Sequence, residues 1–466
     1  MQPYRTLVRY AGTAAWLFLS SYAAAQTATP GLTTLHDFKT QDGTAPSSPI
    51  GGVILGENGA LYGTSAYGGT NGTSSGTVYE LLPPATGGGA WTAVTLYSFT
   101  GINGDGVRPI AGLVMGANGE IYGATTNGGT GEYGTVYEVQ SPSSPGGTWT
   151  ETVLHSFQGG QDGAFPYGNL VIGRNGELYG TTYQGGYIGS GSGGCLGIGC
   201  GTVFKLEPPS TPGGSWTGTI LHRFTGSNGK DGQPLDGEQP LAGVIIGSHG
   251  EIYGTASGGG NECLPFNGCG VVFELQPPSQ LGGAWTESIL HAFNYYPADG
   301  FQPFAAVALD SGGKLYGTTY WGGTGTYCFY ACGTVFELQP SSASGGAWTE
   351  TILHSFADPT ADGFTPIAGV IVGRNGQLYG ATTAGGSATT CQTAPGQYYC
   401  GALYELTPPV QAGGVWSEKI LYNFTGQFGV GDGSDPHATL VQGKDGALYG
   451  TTTGGGIYGW GTAFQF

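Results

Sequence analysis

Seven times along the 466-residue chain a tight turn is followed by one short word: Leu or Ile, then Tyr-Gly, then Thr or Ala. Its tyrosines are Tyr62, Tyr122, Tyr179, Tyr253, Tyr316, Tyr379 and Tyr449, between 57 and 74 residues apart. A word that keeps its letters while its spacing varies signals a repeat architecture of fixed elements joined by loops of unequal length.

The fourth copy serves as the type. Leu241–Gly247 is a short apolar strand, Ser248-His249-Gly250 a turn, and Glu251–Thr255 a returning strand. A variable loop opens at Gly258-Gly259-Gly260 and leads to a third strand, Gly270–Leu275, with the alternation of a half-buried strand. Pro277-Pro278 and Gly282-Gly283 make a long hairpin turn, and Trp285–Phe293 is the fourth strand. The connection to the next copy carries Asp299-Gly300 before Pro303. Four antiparallel strands repeated radially describe a blade, so the expected fold is an all-β, seven-bladed β-propeller. No 3.6-residue apolar period supports a helical solenoid. Hairpin turns such as Asn58-Gly59 and Asn175-Gly176 argue against a parallel β-helix.

The two ends predict how the ring closes. The fourth-strand word Leu-(His/Tyr)-x-Phe occurs first at Leu35, and the chain finishes on a third strand, Gly461–Phe466. The N-terminal strand at 32–38 is therefore expected to complete the seventh blade from outside, which leaves no open inner edge.

The first 25 residues read as a secretory signal peptide: Arg5 and Arg9, an apolar run around Trp16–Leu19, and Ala23-Ala24-Ala25 before Gln26. Residues 26–466 then form a single propeller domain. No later stretch is apolar enough to span a membrane, so the protein is expected to be secreted, periplasmic or displayed at the cell surface, as a monomer. With 12 Lys+Arg against 30 Asp+Glu, the surface repels phosphate backbones and nucleic-acid binding is disfavoured.

Gly-Thr-Val-Phe-Glu-Leu, Leu-Tyr-Gly-Thr-Thr and Leu-His-Ser-Phe together resemble the repeat of the bacterial GloVer tandem-repeat proteins. The resemblance covers nearly all of the chain after the signal segment. It implies an exported bacterial repeat protein and carries over no catalytic residues. Members commonly carry a C-terminal anchor, which is not expected after Phe466.

The eight cysteines fall between second and third strands as Cys195/Cys200, Cys263/Cys269, Cys328/Cys332 and Cys391/Cys400, one pair in each of blades 3 to 6. Local disulfides are the economical pairing in an oxidising compartment. A zinc site would need four ligands close together, and these pairs sit on separate blades. The histidines His36, His155, His222, His291 and His354 share one repeat position, with Tyr97 and Tyr422 in the other two copies, so they serve the blade. The Asp-Gly-x-x-Pro motif at Asp42, Asp105, Asp162, Asp236, Asp299, Asp362 and Asp432 is read as a capped turn. A calcium ring is the sharper alternative for these aspartates. No cofactor or metal is expected. Trp91, Trp149, Trp216, Trp285, Trp348 and Trp416 are read as packing residues beside the hairpin turn.

Function is expected where the copies differ, on the face that carries the variable loops and the Asp-Gly connections. Candidate ligand-binding residues there are Tyr67, Tyr183, Tyr320, Trp321, Tyr330 and Trp460. Off-repeat charges on the same face are Glu132, Asp231, Glu238, Glu262, Asp358 and Asp435, with Arg108, Arg223 and Lys230. Two functions follow. One is a non-catalytic binding or scaffold protein that engages a glycan or a surface protein through the disulfide-stapled loops. The other is a secreted polysaccharide hydrolase or lyase at the central mouth, where hydrolysis would need two carboxylates about 5–10 Å apart. No pair stands out by spacing, so no catalytic residue is assigned.

Overall fold

The computed structural model describes residues 31–466 except 40–44, 70–73, 86–88, 145–146, 187–194, 196–198, 212, 227–234, 264–265, 267, 281, 296–298, 327, 329–331, 344–345, 358–361, 387–391, 395–396, 399, 412, 427–428 and 430. The signal segment, Asp42, Lys230, Asp231, Tyr330, Asp358 and Cys391 lie outside the described residues. Seven four-stranded antiparallel sheets follow one another in the order predicted. In blade 4 the strands are Ile245–Ile246, Ile252–Ala256, Val271–Gln276 and Thr286–Ala292, from the axis outward.

The seventh blade closes as expected. Its inner strands are Val441–Gln442, Leu448–Thr452 and Thr462–Gln465, and its outer strand is Thr33–Asp37. Thr33 lies opposite Gln465 and Asp37 opposite Thr462.

The repeated words are a packing code. In every blade the glycine of Tyr-Gly lies opposite the aromatic residue of the third strand, as Gly254 does Phe273 and Gly63 does Tyr79. A Cβ on Gly63, Gly254 or Gly317 would strike that ring, so the ring needs the bare backbone. The phenylalanine of Leu-His-x-Phe then stacks on the third-strand aromatic of the following blade. Phe99 meets Tyr137 at 4.9 Å, Phe224 meets Phe273 at 5.2 Å, and Phe38 crosses the closure to Tyr79 at 5.1 Å. These rings are fully buried, and such angled ring contacts, edge-to-face for Phe99 and Phe224 and tilted for Phe38, add to area burial. The tryptophans do the same at the hairpin end: Trp216 meets Tyr122 and Trp348 meets Tyr253, both at 6.0 Å, each across a blade boundary.

The innermost strand is shorter than the seven residues expected in copy four, only Ile245–Ile246. Near the axis the backbones crowd together, and a Cβ on Gly243 would overlap the backbone of Asn169 in the blade before. The converging chains pack there by close approach of glycines and leave no room to extend the ladder.

Candidate binding site at the loop face

The residue just before each repeat proline is non-glycine and left-handed: Ser48, Arg108, Phe165, Gln239, Gln302, Thr365 and Asp435, with φ between 54° and 62°. That conformation costs of order 1–3 kcal/mol per residue and persists only where the surroundings enforce it. Two hydrogen bonds enforce it in each copy. Gln239 N donates to Cys200 O at 2.7 Å in the preceding blade, and Gln239 O accepts from Ser257 N at 3.2 Å. Gln302 N likewise donates to Cys269 O at 2.7 Å, and its carbonyl accepts from Tyr320 N at 3.0 Å. The result is a fixed ring of seven side chains of six kinds on the loop face, glutamine occurring twice. Beside it runs a second ring that includes Tyr183, Ser257 and Tyr320.

Inside these rings lies the axial channel, a cavity of about 630 Å³ with mainly apolar walls that include Ile50, Ile110, Leu241 and Ile367. A second cleft, of about 360 Å³, opens over blades 3 to 5. Its lining brings together Tyr183, Phe266 and Phe304, the amides of Gln239 and Gln302, and one carboxylate, Glu238.

Glu238 breaks the pattern of its position. The equivalent residues are Ser47, Val107, Ala164, Phe301, Phe364 and Ser434, all uncharged, as the cross-strand pairs Ser47–Tyr67, Val107–Asn127, Glu238–Gly258 and Phe301–Trp321 show. Glu238 faces Gly258, where a Cβ would lie 2.7 Å from its Cγ. It is 1% exposed, and among the described residues its Oε1 has no hydrogen-bond partner. Its Oε2 lies 3.0 Å from Cys195 Sγ, but that sulfur is in a disulfide and has no proton to give. Burial pushes the carboxyl up to about 7.

The shared histidines sit at the blade boundaries. His222 Nε2 lies 3.3 Å from Asp236 and 3.6 Å from Glu287 of the next blade. His291 lies 3.6 Å from Asp299 and 3.4 Å from Glu350, and His354 lies 3.5 Å from Asp362 and 3.7 Å from Glu418. These triads have the donor types that hold a divalent cation. Their geometry reads better as an imidazole–carboxylate latch across the blade boundary. Asp236 already accepts from Thr225 N, Thr225 Oγ1 and Gly237 N, and Tyr422 replaces histidine in blade 6, donating to Asp432 at 3.0 Å. Sequence reasoning placed the aspartates apart on separate blades and missed their glutamate partners. The signal was present in the Trp-Thr-Glu and Trp-Ser-Glu words at Glu151, Glu287, Glu350 and Glu418.

In blade 1 the left-handed residue is Ser48 and the repeat proline is Pro49, which packs on Gly461, so the Asp42–Pro46 match is out of register. Ala45 O approaches Gly68 as Asp236 O approaches Gly259. An alanine thus takes the aspartate's place, and His36 is pushed down to about 4 by burial and by the Lys39 charge.

The predicted ligand residues separate into two groups. Tyr183 lines the cleft, and Tyr320 joins it through Phe304, whose ring is 5.0 Å away. Trp321 is half-buried against Tyr320 at 4.5 Å and packs on the core around Phe301 and Cys269. Tyr67 and Trp460 are exposed on blades 1 and 7, with the Arg108 guanidinium 6.0 Å from the Tyr67 ring. Of the off-repeat acids, Glu132 and Glu262 are exposed, and Asp435 is half-buried, bonded to His437 at 3.1 Å and to Thr453 at 2.8 Å. Disulfides join Cys195 to Cys200, Cys263 to Cys269 and Cys328 to Cys332, and Cys400 is disulfide-bonded too. Among the described residues no helix is long and apolar enough to cross a membrane.

The Gloeobacter/Verrucomicrobia repeat matches residues 21–233 and 197–391. No curated protein matches the chain. Among solved structures, a glucose dehydrogenase is 13% identical with a TM-score of 0.40, covering 94% of this chain and 99% of its own. A gluconolactonase from Xanthomonas campestris is 11% identical with a TM-score of 0.37, covering 93% and 88%. At such values no site residue carries over.

Proposed function

The chain belongs to the Gloeobacter/Verrucomicrobia repeat family, and we propose that this member is an exported binding protein that takes a glycan in the cleft over blades 3 to 5. The observation that carries the reading is the lining of that cleft. Aromatic rings, two amides and a single carboxylate surround a space of about 360 Å³, held by backbone that the fold fixes in a strained conformation. Rings with a few convergent polar groups suit the alternating apolar and hydroxylated faces of a sugar. The volume is that of a site for a saccharide unit or two, not of a protein footprint. Export is supported by the N-terminal segment and by disulfides, which persist in oxidising compartments.

The enzyme reading has one observation in its favour: a carboxyl held near 7 is poised as a general acid. Hydrolysis requires a second carboxylate, and among the described residues none but Glu238 lines the cleft. Binding without turnover is therefore the conclusion. A panel of soluble polysaccharides, scored for retention by the immobilised protein and for reducing ends released, tests it. Retention without product is the expected result, and product release abolished by Glu238→Gln would replace it with the hydrolase.

A further inference from the structure

A lone buried carboxyl inside an acidic protein asks for a counter-ion. Glu238 stands where the other blades carry uncharged residues, and among the described residues neither of its oxygens receives a proton. Burying a charge without a partner is costly, and a repeat protein with six uncharged solutions at that position has no structural need for this one. The cleft offers no cation of its own, since its lining residues include no Lys or Arg. It offers aromatic rings instead: Tyr183, Phe266 and Phe304. Rings around a carboxylate are what a cationic nitrogen seeks, because the ring faces and the acid both attract it while water is excluded.

We propose that Glu238 is the counter-ion for an ammonium group, so that the cleft selects a glycan with a free amino sugar over its N-acetylated or neutral counterpart. This rests on the reading of the cleft as a glycan site. The amine nitrogen would donate to Glu238 from among the three rings, and the amides of Gln239 and Gln302 would bond hydroxyls of the same sugar. An acetamido group in that place carries no charge and adds bulk beside a carboxylate already backed by the Cys195 sulfur at 3.0 Å. The overall charge of −18 also draws cations toward the molecule, so the test must separate the pocket from the general field.

Calorimetry with the β-1,4 glucosamine tetramer and its fully N-acetylated form, at equal ionic strength, reads the selectivity directly. Wild type should bind the amino tetramer at least tenfold more tightly, Glu238→Gln should bind both alike, and Glu262→Gln, an exposed charge on the same face, should keep the preference. Tyr183→Leu provides a second test if Glu238→Gln is poorly produced, with at least a threefold loss for the amino tetramer. Equal affinities in wild type, a preference that survives Glu238→Gln, or one equally lost in Glu262→Gln would overturn the ammonium site while leaving glycan binding in place. Binding of neither tetramer nor any polysaccharide would remove both.

Discussion

Phe293 shows what a single residue contributes to a ring of repeats. It is fully buried, lies 5.2 Å from Phe336 of the next blade, and belongs to a chain of contacts that passes once around the molecule. Truncating such a ring removes its burial and opens a cavity at a blade boundary. Phe293→Ala should therefore cost about 3–5 kcal/mol, read as a fall in the urea midpoint. Ile102→Ala, at an exposed position, should stay within about 0.5 kcal/mol of wild type. A midpoint for Phe293→Ala indistinguishable from that of Ile102→Ala would show that the rings carry no cohesion. The same residues show where sequence reading stops. The Tyr-Gly and Leu-His-x-Phe words gave away the blades because each obeys a period, but which copy's ring meets which is settled between blades, where spacing says nothing. Glu238 stood out only as one acid among several. Its burial depends on Gly258 and the Cys195–Cys200 bridge, which lie 20 and about 40 residues away in opposite directions along the chain.

At the scale of elements, the outer strand Thr33–Asp37 is the most exposed to test. It is joined to the rest by pairing with Thr462–Gln465, by Asp37 Oδ1 accepting from Ile457 N at 2.8 Å, and by Leu32, Leu35 and Phe38 in the core. Deleting residues 31–38 would expose a strand edge and unseat Tyr79, which packs on Phe38. The truncated chain is expected to aggregate or to melt well below wild type, by light scattering and calorimetry. A monomer with unchanged melting would refute the closure as a stabilising element. The closure was legible because the strand words counted seven while their order was rotated by one strand. The short inner strands were not, because close approach at the axis leaves no mark in hydrophobic patterning. The cysteine pairs were legible from loop spacing alone, and three are seen joined. For the fourth, peptide mapping without reduction should place Cys391 with Cys400, and a peptide joining Cys400 to any other blade would exclude local pairing.

For the molecule as a whole, the blade boundaries make stability depend on pH in a definite direction. Burial, and for Glu151 the nearby Asp105 charge, push Glu151 up to about 7, and burial likewise sends Glu418 to about 7 despite His354. Glu287 and Glu350 are raised as well, chiefly by burial, and so is Glu238. For His291, burial alone would lower the imidazole, but Asp299 and Glu350 raise it. A group whose folded value is raised contributes stability that is full below its unfolded value and is lost as the pH climbs to the folded one. For the glutamates that window runs from the ordinary value of 4.5 to about 7, further for Glu287. His36 works the other way, since its folded value of about 4 penalises acid, and Asp162, Glu120 and Glu177 are lowered and add stability that is lost in stronger acid. These raised glutamates, with Glu138 raised by burial as well, outweigh one histidine, and relief of repulsion in a chain of charge −18 acts in the same sense. The melting temperature should therefore peak near pH 5 and fall toward pH 7 to 8. Salt separates the two contributions, because it screens the surface field but not groups buried between blades. At high salt the fall should persist in wild type and shrink in Glu287→Gln with Glu418→Gln, which should also melt higher than wild type at pH 8. A wild-type profile flattened by salt alone would assign the effect to surface charge and acquit the latches.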